Sequence, residues 1–118
     1  MSSIHNGDIV LVPFPFTDLS STKLRPALVI SKNKIHSMFD DYTLIFISSV
    51  LPPNKESCEY ILDIKHEDFK ETGLKVSSVF KGNKIATLHR ALLKRRLGKL
   101  SQKLKEELQI VINHSIGF

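Results

Sequence analysis

The chain has 118 residues and a mass of 13.4 kDa, enough for one domain with its own core and too little for two. Hydrophobic residues make up 42% and charged residues 25%, which places it among globular sequences and outside the disordered ones. Seventeen Lys and Arg against 12 Asp and Glu give a net charge of +5. The excess is lopsided: residues 1–63 hold 5 basic and 7 acidic side chains, residues 64–118 hold 12 and 5.

That asymmetry points to a polyanionic partner, nucleic acid or an anionic surface, met through the C-terminal half. Cys58 is alone, which excludes an intramolecular disulfide and any zinc site built on several cysteines. A small domain without disulfides must be held by its core, as suits a reducing compartment. The longest apolar run, Ile9 to Phe16, is far short of the roughly 20 residues that cross a bilayer, and prolines interrupt it. Met1 to Asn6 has no basic n-region, so a cytoplasmic location is expected.

Gly7-Asp8 reads as a turn leading into Ile9-Val10-Leu11-Val12, a β-branched run that ends at Pro13. Four successive apolar residues predict a strand covered on both faces, as in a small barrel. Pro13 and Pro15 stop regular pairing because proline donates no ladder hydrogen bond. Thr17 to Leu24 is polar and aperiodic, a loop. Ala27 to Ile30 is a second strand, entered through Arg25-Pro26, and Asn33 to Asp41 is a loop or one helical turn. Thr43 to Ile47 is the third strand, followed by Ser48-Ser49 and the breaker Pro52-Pro53. Glu59 to Ile64 partly alternates and is expected to be a strand. His66 to Thr72 suits one or two helical turns stopped by Gly73. Val76 to Phe80 and Lys84 to Leu88 read as two further strands. Leu100, Leu104, Leu108, Val111 and Ile112 recur at helical spacing behind Ser101, a good N-cap, so a C-terminal amphipathic helix is expected. The fold class is therefore mainly β with a C-terminal helix, a small barrel of five to seven strands in a single domain.

Five scattered histidines (His5, His36, His66, His89 and His114) give no metal-ligand spacing, and no glycine-rich phosphate loop or nucleophile elbow is present. No metal and no cofactor are expected. The remaining candidates are polar residues at strand ends. Arg25 offers a permanently charged planar fork that matches phosphate geometry, and Pro26 holds its backbone extended. A surface ion pair is the alternative use of such an arginine. Ser48 and Ser49 end an apolar strand, where a hydroxyl reaches a phosphate oxygen or caps the strand. His89 is of a residue type suited to general acid–base work. Lys94-Arg95-Arg96, with Lys99 and Lys103, is the densest basic cluster, a source of salt-sensitive affinity for nucleic acid or simply a solvated face.

Gly7-Asp8-Ile9-Val10-Leu11-Val12-Pro13-Phe14-Pro15-Phe16-Thr17-Asp18, followed by Lys23-Leu24-Arg25-Pro26-Ala27-Leu28-Val29-Ile30-Ser31, resembles the opening of the MazF/PemK family of toxins. Ile47-Ser48-Ser49 is similar to that family's Ile-Thr-Ser at the end of the third strand. Gly73-Leu74-Lys75, Ser78-Val79, Lys84-Ile85-Ala86-Thr87-Leu88 and Leu97-Gly98-Lys99-Leu100-Ser101 follow its C-terminal pattern. The match spans nearly the whole chain, through the order and spacing of segments none of which is decisive alone.

The resemblance implies an SH3-like β-barrel of the CcdB/MazF type, a homodimer, and a metal-independent, sequence-specific endoribonuclease toxin held in check by a cognate antitoxin. Arg25 then matches the arginine essential for cleavage, and Ser48 the threonine paired with it. The sequence departs from the pattern in three places. Serine replaces threonine at position 48, histidine stands at 89 where some members carry aspartate, and alanine stands at 86 where one branch carries a second catalytic arginine. His89 and Asp18 are the available general bases. RNA contacts are expected from Thr17, Ser20, Ser21, Lys23, Ser49, Lys84, Lys94, Arg95 and Arg96. The substrate would be single-stranded RNA, since bases in a paired helix are poorly accessible. Two other readings share the barrel: a family member that binds antitoxin or RNA without cleaving, and a gyrase-binding toxin of the CcdB type.

Overall fold

Ile9, Val10 and Val12 are wholly buried, as an uninterrupted apolar run predicts. They belong to β1 (Asp8–Pro13) in a computed structural model that describes residues 3–13, 23–32 and 40–116. β2 (Leu24–Val29), β3 (Asp41–Ser48), β4 (Glu59–Leu62), β5 (Ser78–His89) and β6 (Arg95–Lys99) follow, and α1 (Gln102–Ile116) ends the described chain. Short 3₁₀ turns occupy Lys70–Thr72 and Arg90–Leu92. The strands form one curled sheet in the order β4-β5-β3-β2-β1-β6, antiparallel throughout. The expected SH3-like barrel class, mainly β with a C-terminal helix, is the one observed.

Alternation along the strands sends side chains to two cores. Val10, Val12, Ala27, Val29, Leu44 and Phe46 pack together on one face, where Ile4 and Leu93 join them. Ile9, Leu28, Ile45, Ile47 and Phe80 lie on the other, beneath Leu100, Leu104 and Leu108 of the α1 segment. Each such wholly buried aliphatic side chain is worth about 1.5–3 kcal/mol. The helix begins where predicted: Ser101 Oγ accepts the Leu104 amide at 3.2 Å and donates to Asp68 Oδ2 at 2.7 Å. A second tether joins helix and sheet, since the Tyr60 hydroxyl donates to Glu107 Oε2, with His66 Nε2 3.9 Å from the same oxygen.

The structure departs from the sequence reading in four places. Val76 to Phe80 and Lys84 to Leu88 are not two strands but parts of the one strand β5, offset by a bulge: Ile45 pairs with Ile85, yet Phe46 pairs with Lys81. Gly82 makes the bulge possible, because a Cβ there would lie 2.3 Å from Ser115 Oγ. β6 was not expected as a strand. It is an edge whose Arg and Lys side chains suit exposure and mask any apolar alternation. Between His66 and Thr72 only Lys70–Thr72 turns as a helix, and Gly73 ends it at φ 73°. β4 stops at Leu62 rather than Ile64. The expected loop over residues 17–24 and the segment 33–41 fall largely outside the described residues.

Candidate active site

Ala27 pairs with Phe46 and Leu28 with Ile45 across β2 and β3. The ladder ends there; Arg25 of β2 and Ser48 of β3 each lie two residues beyond it, at the same end of these neighbouring strands. Ladder pairs continue on either side: Ser48 faces Val79 of β5, Val79 faces Ile61 of β4, and Arg25 faces Val12 of β1. Directly opposed residues share a face and stand about 4.5–5.5 Å apart at Cβ. Arg25 and Ser48, 23 positions apart in the chain, therefore lie at one end of the sheet, on the face that carries Val12 and Phe46.

Each is free to act on a ligand. Arg25 is exposed, and among the described residues no carboxylate pairs with it. Ser48 is half-buried. Its Oγ accepts the Val50 amide at 3.1 Å, which fixes the oxygen and leaves the hydroxyl proton to donate elsewhere. Ser49, Val50 and Leu51 continue from it as exposed backbone at the same rim. A fixed cation beside an oriented hydroxyl is a cradle for a phosphate oxygen.

The basic cluster reaches this end by way of β6. The Lys94 amide donates to the Leu11 carbonyl at 2.8 Å, and Arg95 pairs with Leu11, whose partner on the other side is Pro26. Lys94 and Arg95 thus stand two strands from Arg25, roughly 10 Å across the sheet, but Arg95, opposite Leu11, lies on the other face from Arg25, which is opposite Val12. Lys23, just before β2, is exposed at the same end. Arg96 is committed to the fold: its Nε lies 3.3 Å from Oδ1 of the buried Asp8, whose Oδ2 accepts the His5 amide at 2.8 Å. The role the fold gives Arg96 is this ion pair. Lys84 lies in the β5 bulge, exposed.

His89 is not brought to this site. It ends β5 opposite Asp41, seven positions along β3 from Ser48, a separation of roughly 23 Å. Its Nδ1 accepts the Ala91 amide at 3.0 Å and so caps the 3₁₀ turn that follows. Within one protomer His89 thus caps this turn, at the end of β3 away from Ser48. Thr17, Ser20, Ser21 and Asp18 lie outside the described residues. Among the described residues no three His, Cys, Asp or Glu side chains converge to hold a metal ion, and no helix is long and apolar enough to cross a membrane. The sequence reading passed over Lys81. It shares the Ser48 face only because β5 pairs as it does, and that pairing leaves no local signal.

Residues 5–116 match the sequence model of a family described as PemK-like, MazF-like toxin of type II toxin-antitoxin system. Comparison with curated proteins gives no match. Among solved structures, a mycobacterial endoribonuclease in complex with its cognate antitoxin superposes with TM-score 0.76 at 13% identity, over 98% of this chain and 97% of that one. MazF from a MazE-MazF structure of Deinococcus radiodurans gives 0.74 at 18% identity, over 100% and 99%. The Mycobacterium tuberculosis toxin MazF-mt6 gives 0.72 at 18% identity, over 94% and 97%. At these identities the likeness establishes the fold.

Proposed function

The chain belongs to the PemK-like, MazF-like toxin family of type II toxin-antitoxin systems, and from that premise we propose that it is a sequence-specific endoribonuclease that cuts single-stranded RNA without a metal. The observation that carries this reading is the placement of Arg25 and Ser48 on one face at the same end of neighbouring strands, with Lys23 and Lys94 at that end. Similarity of fold to a protein named as an endoribonuclease supports it.

RNA brings its own nucleophile. The 2′-hydroxyl gives up its proton to water as its oxygen attacks the adjacent phosphorus, the bond from phosphorus to the 5′-oxygen breaks, and that oxygen takes a proton from water, leaving a 2′,3′-cyclic phosphate and a 5′-hydroxyl. Negative charge builds on the non-bridging oxygens as the phosphorane forms. The Arg25 guanidinium meets that charge with fixed donors, and the Ser48 hydroxyl donates to one of the same oxygens. Holding the phosphate between them also orients the in-line attack. Serine at 48 supplies the hydroxyl of the family's threonine without the methyl group that stiffens its rotamer.

The protein acts as a homodimer and is silenced by a cognate antitoxin in this proposal. Two similar folds are known in structures with antitoxin partners. The test is direct. Purified protein is incubated with a long single-stranded RNA in EDTA, beside Arg25→Ala. Discrete cuts that persist in EDTA and vanish in the variant are expected, and intact RNA in both lanes would overturn the proposal.

A further inference from the structure

Lys81 stands one step from the Arg25–Ser48 pair, on the opposite side of Ser48. β5 sets Val79 against Ser48 and Lys81 against Phe46, so Lys81 shares the Ser48 face and is its diagonal neighbour. Diagonal neighbours lie about 7–8 Å apart, within reach of a long side chain. On that face Ser48 is flanked by a cation on each adjoining strand, Arg25 on β2 and Lys81 on β5.

Nothing in the fold accounts for this lysine. It is half-buried, yet among the described residues no carboxylate lies within ion-pair distance of it and no hydrogen bond engages its ammonium. The carboxylate nearest in register is Glu59, directly opposite on β4. Glu59 is turned to its own loop, where Oε1 accepts the Glu56 amide at 3.0 Å. Lysine loses rotamer freedom and hydration when it is held against a sheet face, and a partner normally offsets that cost. The bulge just after it, at Gly82, ends the shared register and leaves Lys81 as the last residue of β5 aligned with both β4 and the Ser48 end of β3.

We propose that Lys81 contacts the RNA backbone at the phosphate adjoining the scissile one, so that the strand crosses β2, β3 and β5 in turn instead of running along any of them. This rests on the endoribonuclease reading for the identity of the ligand. Arg25 and Ser48 hold the reacting phosphate, and Lys81 is a positioning residue that fixes the register of the chain on either side of it. The site takes a single-stranded polyanion, because a base-paired helix cannot lay one strand flat across the sheet.

The test uses the full chain and a short mixed-sequence 2′-O-methyl RNA, which binds but has no free 2′-hydroxyl to attack with. Each phosphate contact to a single strand contributes about 0.7 to the slope of log affinity against log salt. Lys81→Met is expected to lower the slope by that amount, Lys81→Arg to retain it, and Lys32→Met, at the far end of β2, to leave it unchanged. Thermal melting establishes that each variant is folded. On cleavable RNA, Lys81→Met is expected to raise KM more than it lowers kcat. An unaltered slope in a folded Lys81→Met protein overturns the proposal while leaving the endoribonuclease reading intact if the wild type still cuts. Wild-type protein whose binding depends on Lys81 but which cuts nothing overturns the endoribonuclease reading and keeps the contact.

Discussion

Arg25 and Ser48 stand on one face at the same end of the neighbouring strands β2 and β3, two residues beyond Ala27–Phe46, the last pair of their ladder. Neither supports the core. Arg25→Ala is therefore expected to abolish cleavage while shifting stability by no more than about 0.5 kcal/mol, the usual range for an exposed site. Gel assays of RNA cleavage and urea unfolding of the same preparation check both halves.

Ser48 tolerates a different change from the one Arg25 does. Ser48→Thr keeps the hydroxyl and is expected to hold or raise activity. Ser48→Ala removes the donor and is expected to lower kcat by about 100-fold or more, the scale of losing one donor to a developing anion. A tenfold fall in Ser48→Thr would argue that the hydroxyl is not placed as described.

The basic cluster divides into two jobs. Arg96→Met leaves the buried Asp8 carboxylate without its cation and is expected to cost about 1–3 kcal/mol in urea unfolding. Neutralising Lys94 and Arg95 together is expected to leave stability nearly unchanged and to reduce the salt dependence of RNA binding. Equal stability losses in both variants would refute the division.

How much of this was legible in the sequence varies by element. α1 was legible because Leu104 and Leu108 repeat at helical spacing behind an N-cap serine, and every one of those signals is local. β1 was legible because both its faces are buried, so its apolar run needs no alternation. β6 was not, because an edge strand covered by Arg and Lys carries no apolar pattern. That Arg25 and Ser48 share one end and one face was legible only through the family resemblance and not from local pattern, since register is a property of paired strands. The same reason explains His89: its type suggested catalysis, and only the pairing with Asp41 shows it at the other end of β3.

Gly73 and Gly98 lock the turn at Lys70–Thr72 against β6. A Cβ on Gly98 would meet the Glu71 carbonyl oxygen at 2.2 Å, and one on Gly73 would meet that of Leu97 at the same distance. Backbone cannot yield as a side-chain tip can. Gly98→Ala is expected to destabilise by about 2 kcal/mol or more, in the range of overpacked sites. Urea unfolding near the wild-type midpoint would contradict this packing.

Tyr60 makes stability sensitive to alkali. Burial, and then its hydrogen bond to Glu107 and the charge of that carboxylate, hold the phenol well above its ordinary value of 10.0. The unfolded chain releases this proton near its ordinary value while the folded protein still keeps it, so stability is complete below that pH and falls as pH rises beyond it. Tyr60→Phe is expected to flatten the part of the alkaline decline that belongs to this group. Parallel curves for the two proteins would show that the tether between β4 and α1 does not titrate.

The central claim is that a positioned arginine and hydroxyl turn the RNA's own 2′-oxygen on its phosphate. The most direct measurement maps the cuts in a single-stranded RNA in EDTA, then repeats the assay with 2′-deoxy sugar at the nucleotide on the 5′ side of one cut. Loss of that cut alone, with 2′,3′-cyclic phosphate and 5′-hydroxyl ends at the others, is the predicted result. Continued cutting at the deoxy position would contradict it.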